Sequence, residues 1–163
     1  MRRQSSDTKE KVLKIAHDLF YWQGIRATGV DRVALRAEVA PTQLYRLFSS
    51  KDDLVAAYTE RADGLNRGWF NAAVRAAGGD PRGQILAVFD ALAEQIGPED
   101  FRGCVCMMTL AEYPDVGSAA HQHAVAGKQW VRDRFGDLCS ELAKAGAAGD
   151  PEALADDLTL VLE

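Results

Sequence analysis

Cysteine and histidine are the side chains best equipped for metal or redox chemistry, and this 163-residue chain carries three of each. Cys104 and Cys106 form a C-x-C pair with Cys139 far away, and His121 and His123 form H-x-H with His17 near the other end. A structural zinc site presents two close pairs of ligands, and residues two apart on a helix diverge rather than converge on one ion. Neither group predicts a metal centre. An odd number of cysteines without a signal peptide argues against a disulfide framework and is expected as buried thiols in a reducing, cytoplasmic compartment. The rival reading, oxidation sensing through Cys104 or Cys106, requires an exposed thiol of lowered pKa. Glu112 and Asp115 beside Tyr113 could imitate an acid/base pair, but carboxylates at a helix end more often cap or solvate. No phosphate-cradling glycine loop, G-x-S-x-G elbow or H-E-x-x-H helix occurs, so neither an enzyme nor a cofactor is expected.

The distribution of charge points instead to binding. The whole chain carries a net charge of −5, which looks wrong for a partner of nucleic acid. Divided at Val55, however, residues 1–55 hold 10 Lys+Arg against 7 Asp+Glu, and residues 56–163 hold 9 against 17. A basic head on an acidic body suits a protein whose head alone meets phosphate. The composition, 47% hydrophobic and 26% charged, is that of an ordinary folded domain. No stretch approaches the ~18 consecutive apolar residues of a membrane span, so no membrane partner is expected.

Helices must position these charges, because apolar residues recur with the helical period and nothing alternates with period two. Val12, Ile15, Ala16, Leu19 and Phe20 form one stripe on a first helix over 8–23, which Gly24 is suited to close. Thr28 with Asp31 approximates a capping box for a short helix over 29–37, and Pro41 suits the first position of another over 41–48. Ser50 and Asp53 repeat the cap pattern before a long helix over 51–77, with Leu54, Tyr58, Leu65, Trp69 and Ala73 available for burial. Asp80-Pro81 and Asp150-Pro151 each start a helix, and two more span 103–112 and 118–145. The first of these has Ile85, Leu86, Phe89, Leu92, Ala93 and Ile96 as its stripe and stops at Gly97-Pro98. Two short helices around a three-residue turn have the geometry of a helix-turn-helix, with Ala34, Val39, Leu44 and Phe48 as its small core.

Thr8–Phe20, Thr28-Gly29-Val30-Asp31-Arg32-Val33-Ala34, Leu44-Tyr45-Arg46-Leu47-Phe48 and Ser50-Lys51-Asp52-Asp53-Leu54 together resemble the N-terminal domain of the TetR/AcrR family, without gaps over residues 8–58. The resemblance implies an all-α protein: a three-helix DNA-binding domain over 1–50 and a helical ligand-sensing and dimerisation domain over 51–163. It implies a repressor whose helix 41–48 lies in the major groove of a double-stranded operator. Thr42, Gln43 and Arg46 would then face the bases, Gln suited to an adenine edge, Arg to a guanine edge and the Thr methyl to a thymine methyl. Tyr45 and Lys51 match positions that contact backbone phosphates, and Thr28 offers a hydroxyl at the start of the second helix. Arg32, Arg36 and the Arg2-Arg3 tail are further candidates, each with the alternative of a simply solvated arginine. The sequence departs from the family pattern at Glu38, where glycine is usual in the turn, and at Ala40, where a serine usually caps the recognition helix.

Gly103-Cys104-Val105-Cys106-Met107-Met108 with Ala111-Glu112-Tyr113-Pro114 resembles, less specifically, a segment of the family's sensor domains. Met107, Met108, Trp69, Phe89 and Trp130 are candidates to line a cavity for an apolar or aromatic effector, against the alternative that they are plain core. A homodimer on a palindromic operator is the expectation that the resemblance carries. The stripe Leu154, Leu158, Val161, Leu162 stops at Glu163 within a helix, which reads as a truncated chain or an altered dimer. The competing functions are a redox-sensing repressor and a helical small-molecule carrier with no role on DNA.

Overall fold

The computed structural model describes residues 2–97, 101–147 and 149–163; Pro98 and the side chains of residues 2–5, Arg2 and Arg3 among them, lie outside that description. The described residues form α1 (Arg2–Gln23), α2 (Val30–Arg36), α3 (Pro41–Leu47), α4 (Lys51–Ala76), α5 (Pro81–Ile96), α6 (Val105–Glu112), α7 (Ala119–Lys144) and α8 (Pro151–Leu162). They contain no strand, and none of these helices is long and apolar enough to cross a membrane. The expected all-α architecture is the one observed, with α1 starting earlier than the stripe alone indicated.

Most of the punctuation works as the residue types dictate. Gly24 takes φ +90° and ends α1, its amide donating to the Phe20 carbonyl at 2.9 Å. The Ser50 hydroxyl accepts from the Asp53 amide at 3.0 Å, and the carboxylates of Asp80 and Asp150 accept from Gly83 and Glu152 at 2.9 Å each. The box expected at Thr28 is a correction. The N-cap of α2 is Gly29, which has no side chain to offer, while the buried Thr28 hydroxyl donates backwards to the Gly24 carbonyl at 2.9 Å.

Packing gathers the chain into two compact units, one made of residues 1–63 and 102–125 and the other of 64–101 and 126–163. The boundary expected at residue 50 is one of proposed roles, and the packed units do not follow it: Val105, Tyr113 and Ala120 pack with the first core. The first core is built from Val12, Ala16, Phe20, Val33, Leu44, Leu54 and Tyr58, the second from Phe70, Val88, Val131, Phe135 and Ala155. Since α4 contributes to both, one continuous stripe does not describe it: Leu65 is 60% exposed, and Phe70 and Val74 take the buried positions. On α5 the buried edge is Ile85 and Val88, while Leu86, Ala93 and Ile96 face outward. On α8 the stripe splits, with Ala155 buried and Leu158 and Leu162 packed against the second core, but Leu154, Leu160 and Val161 exposed.

Between α2 and α3 the chain makes a Schellman turn. The Val39 amide reaches back to the Ala34 carbonyl at 3.0 Å and the Glu38 amide to Leu35 at 3.1 Å, which places Glu38 at the residue that must be left-handed, φ 54°. That conformation costs a residue with a Cβ about 1 kcal/mol relative to glycine. The Glu38 carboxylate recovers little of it, because its 3.2 Å ion pair with Lys11 is exposed. Glu38→Gly is therefore expected to raise stability by about 0.5–1 kcal/mol, read as a higher midpoint in urea with an unchanged slope. A lower midpoint would mean that the turn is not strained.

Candidate nucleic-acid interface

Burial of one side of α3 decides what its other side presents. Leu44 is fully buried and Phe48, at the extended residue that ends the helix, nearly so; both join Val33, Ala34 and Ala37 in the first core, with Val39 partly buried against them. Lys9 closes the edge by placing its ammonium 5.6 Å from the centre of the Phe48 ring. Thr42, Gln43, Tyr45 and Arg46 are consequently exposed, with Tyr45 showing half its surface. These four carry a methyl with a hydroxyl, a primary amide, a phenol and a guanidinium, a set able to meet base edges and phosphates on a single strip.

Ala40 caps α3 without a side-chain hydrogen bond, so its first turn lacks the contribution of about 1 kcal/mol that a serine there would make. Pro41 at the first helical position limits the loss, having no N–H to leave unsatisfied. Beside α3, Arg32 and Arg36 are exposed on α2, one turn apart.

Lys51 opens α4 with its ammonium donating to the Arg26 carbonyl at 3.3 Å, which ties this helix start to the turn between α1 and α2 and leaves two N–H groups for another acceptor. Next to it Asp52 accepts from the Tyr113 hydroxyl at 3.1 Å; partial burial and that carboxylate push the phenol up to about 12. Thr28 does not belong to this surface. Its side chain is buried and its hydroxyl is turned toward Gly24, so a phosphate cannot reach it as the sequence suggested.

The candidate effector residues do not all come together. Trp69, Phe89 and Trp130 surround the second core, Trp69 and Trp130 edge-on to Phe70 at 6.4 and 5.5 Å and Phe89 stacked on Phe135 at 5.9 Å. Arg67 adds a guanidinium 5.1 Å from the Trp130 ring. Met107 and Met108 belong to the other unit, where Met107 is 46% exposed. Cys106 and Cys139 are buried and Cys104 half-buried, none of them in a disulfide, and burial pushes the Cys139 thiol up. Sequence reasoning gives no role to Arg26 or Arg102, and takes Glu112 as an imitation of an acid/base partner, a helix-end carboxylate and part of a sensor-like segment, without a link to the turn after α1.

Against known proteins, residues 12–58 match the model described as bacterial regulatory proteins, tetR family. The chain is 28% identical over 159 residues to the HTH-type transcriptional regulator YjdC of Escherichia coli, covering 95% of this chain and 79% of that one. Among solved structures it is similar to the TetR-family transcriptional regulator SCO4454 from Streptomyces coelicolor, with 33% identity, a TM-score of 0.87 and coverage of 96% and 80%. It is also similar to the transcriptional regulator sav143 from Streptomyces avermitilis, with 32% identity, a TM-score of 0.76 and coverage of 95% and 81%.

The inward hydroxyl of Thr28 gives a clean test of which surface meets phosphate. Thr28→Val should cost about 1 kcal/mol of stability, through loss of one part-buried hydrogen bond, and leave the DNA affinity of the folded protein unchanged. A fall in affinity at constant folded fraction would return Thr28 to the interface.

Proposed function

Because the chain belongs to the TetR family of transcriptional regulators, we propose that it is a repressor that binds a palindromic operator as a homodimer and is released by an apolar or aromatic small molecule. The observation that carries the reading is the division of α3, with Leu44 held in the core and Thr42, Gln43, Tyr45 and Arg46 all turned to solvent. Thr42, Gln43 and Arg46 read base edges in the major groove, and Tyr45, Lys51 and Arg32 hold phosphates on either side. The basic balance of residues 1–55 brings the head to the duplex, while the acidic remainder is repelled and fixes which end approaches.

Dimerisation is supported by α8, where Leu154, Leu160 and Val161 are exposed, the last two by 75% and 72%. Apolar side chains so placed are what a symmetric helical interface buries. Two copies then present their α3 helices to half-sites about 34–36 Å apart. The effector is received by the aromatic cluster of Trp69, Phe89 and Trp130 around the second core. It acts by favouring a spacing of the two heads that does not fit the operator, and the continuous helix α4 carries the change.

Selection of bound sequences from a pool of random duplexes at near-physiological salt is expected to yield a palindromic consensus. On that duplex Arg46→Ala should weaken binding by about 1–3 kcal/mol and relax preference at one position of each half-site, with binding to unrelated DNA little changed. An unaltered affinity would mean that α3 does not read the bases.

A further inference from the structure

The turn between α1 and α2 is held from outside, by the segment that carries α6. At the end of α1 the carbonyls of Tyr21 and Trp22 accept from the Arg102 guanidinium, the first at 2.9 Å. The Tyr21 hydroxyl closes the same contact, accepting from the Arg102 amide at 2.6 Å and donating to the Gly103 carbonyl at 3.1 Å. Ten residues later Glu112, the last residue of α6, sends its carboxylate into the turn itself. One oxygen accepts from the Ile25 amide at 2.9 Å and the other from the Arg26 amide at 2.7 Å. Arg26 answers by donating its Nε–H to the Glu112 carbonyl at 2.8 Å.

Each charge meets the backbone polarity it complements. The final carbonyls of a helix lack intrahelical donors and form the negative end of its dipole, where a guanidinium is favourable. Past Gly24 the two amides offer their hydrogens side by side, a fork that a carboxylate satisfies with both oxygens. Between these two anchor points α6 is fixed to the same unit by the buried Thr59 and Thr109 hydroxyls, 3.3 Å apart, and by Cys106 in the interior. The anchored turn leads directly into α2, whose end sets the Schellman turn and hence α3.

We propose that Arg102 and Glu112 are positioning residues for operator recognition: together they staple the α1–α2 turn to α6 and so fix the angle at which α2 and α3 are presented. This rests on the DNA-binding reading above. The staple touches no base, so its loss acts on specific recognition, which needs α3 at one angle, more than on charge attraction, which does not.

Glu112→Gln keeps the volume of the side chain but leaves one carbonyl for two amides and turns an NH2 group toward the other. Arg102→Met keeps an unbranched side chain and removes the Nη1 donor that serves both the Tyr21 and Trp22 carbonyls. The probes are the duplex that the wild-type protein enriches from a random pool and a scrambled duplex of the same length, with amide hydrogen exchange followed at Ile25, Arg26, Leu44 and Phe48. The expected result for either variant is binding to the enriched duplex weakened by about tenfold, with binding to the scrambled duplex unchanged. Exchange should accelerate at Ile25 and Arg26 in Glu112→Gln, with that of Leu44 and Phe48 as in wild type. Faster exchange in the turn with full affinity for the enriched duplex overturns the proposal. So does an equal loss on both duplexes accompanied by faster exchange at Leu44 and Phe48, which is general destabilisation. If the wild-type protein itself enriches no duplex, the DNA-binding reading falls and the proposal falls with it, an outcome distinct from the other two.

Discussion

Two turns of helix do not persist in water without help, because nucleation costs more than so few hydrogen bonds return. At seven residues each, α2 and α3 exist through the burial of Val33, Ala34, Leu44 and Phe48 against Val12, Ala16 and Phe20 of α1 and Leu54 and Tyr58 of α4. That one apolar contact region does two things at once. It supplies the free energy that keeps the short helices formed, and it fixes their rotation, so that the polar residues of α3 have only solvent to face. The exposed polar strip of α3 is thus a by-product of packing, and its composition can vary so long as positions 44 and 48 stay apolar.

Charge is arranged around this corner rather than within it. Exposed arginines and lysines on α1, α2 and α3 give the head its positive balance, while two ion pairs of α1, Lys11–Glu38 and Arg61–Glu10, are at the surface. At such exposure each pair contributes about 0–1 kcal/mol and is screened by salt. The head is therefore held by its core and its backbone hydrogen bonds, and its net charge remains available for the approach to a polyanion.

Much of this was legible in the sequence because the signals are local. The period of apolar residues, Gly24, Asp80-Pro81 and Asp150-Pro151 act through their own turn of chain, and the structure places each helix end close to where they indicate. Thr28 was misread because a hydroxyl four residues from a carbonyl can turn back to it as readily as it can cap forward, and only the burial of this residue decides. Leu65 and Leu86 were misread because a helical stripe gives a direction without saying how wide the buried arc is or which core it meets. Glu112 and Arg102 were beyond reach: their partners are backbone groups more than 79 residues away, and backbone leaves no residue type to recognise.

The residues at the two ends of the turn preceding α3 sharpen the point. Glu38 occupies a left-handed position that glycine fills at less cost, and Ala40 leaves the first turn of α3 without a side-chain cap, each unfavourable by about 1 kcal/mol. Local preference therefore opposes this recognition helix at the point where tertiary contacts most need to hold it. A helix maintained against its own local sequence is ordered only while the surface it packs on is in place, and here that surface begins at α1. The Arg102 and Glu112 contacts leave that surface itself intact and fix the end of α1, so they bear on the angle at which α3 is presented and not on the hydrogen bonds that keep it helical.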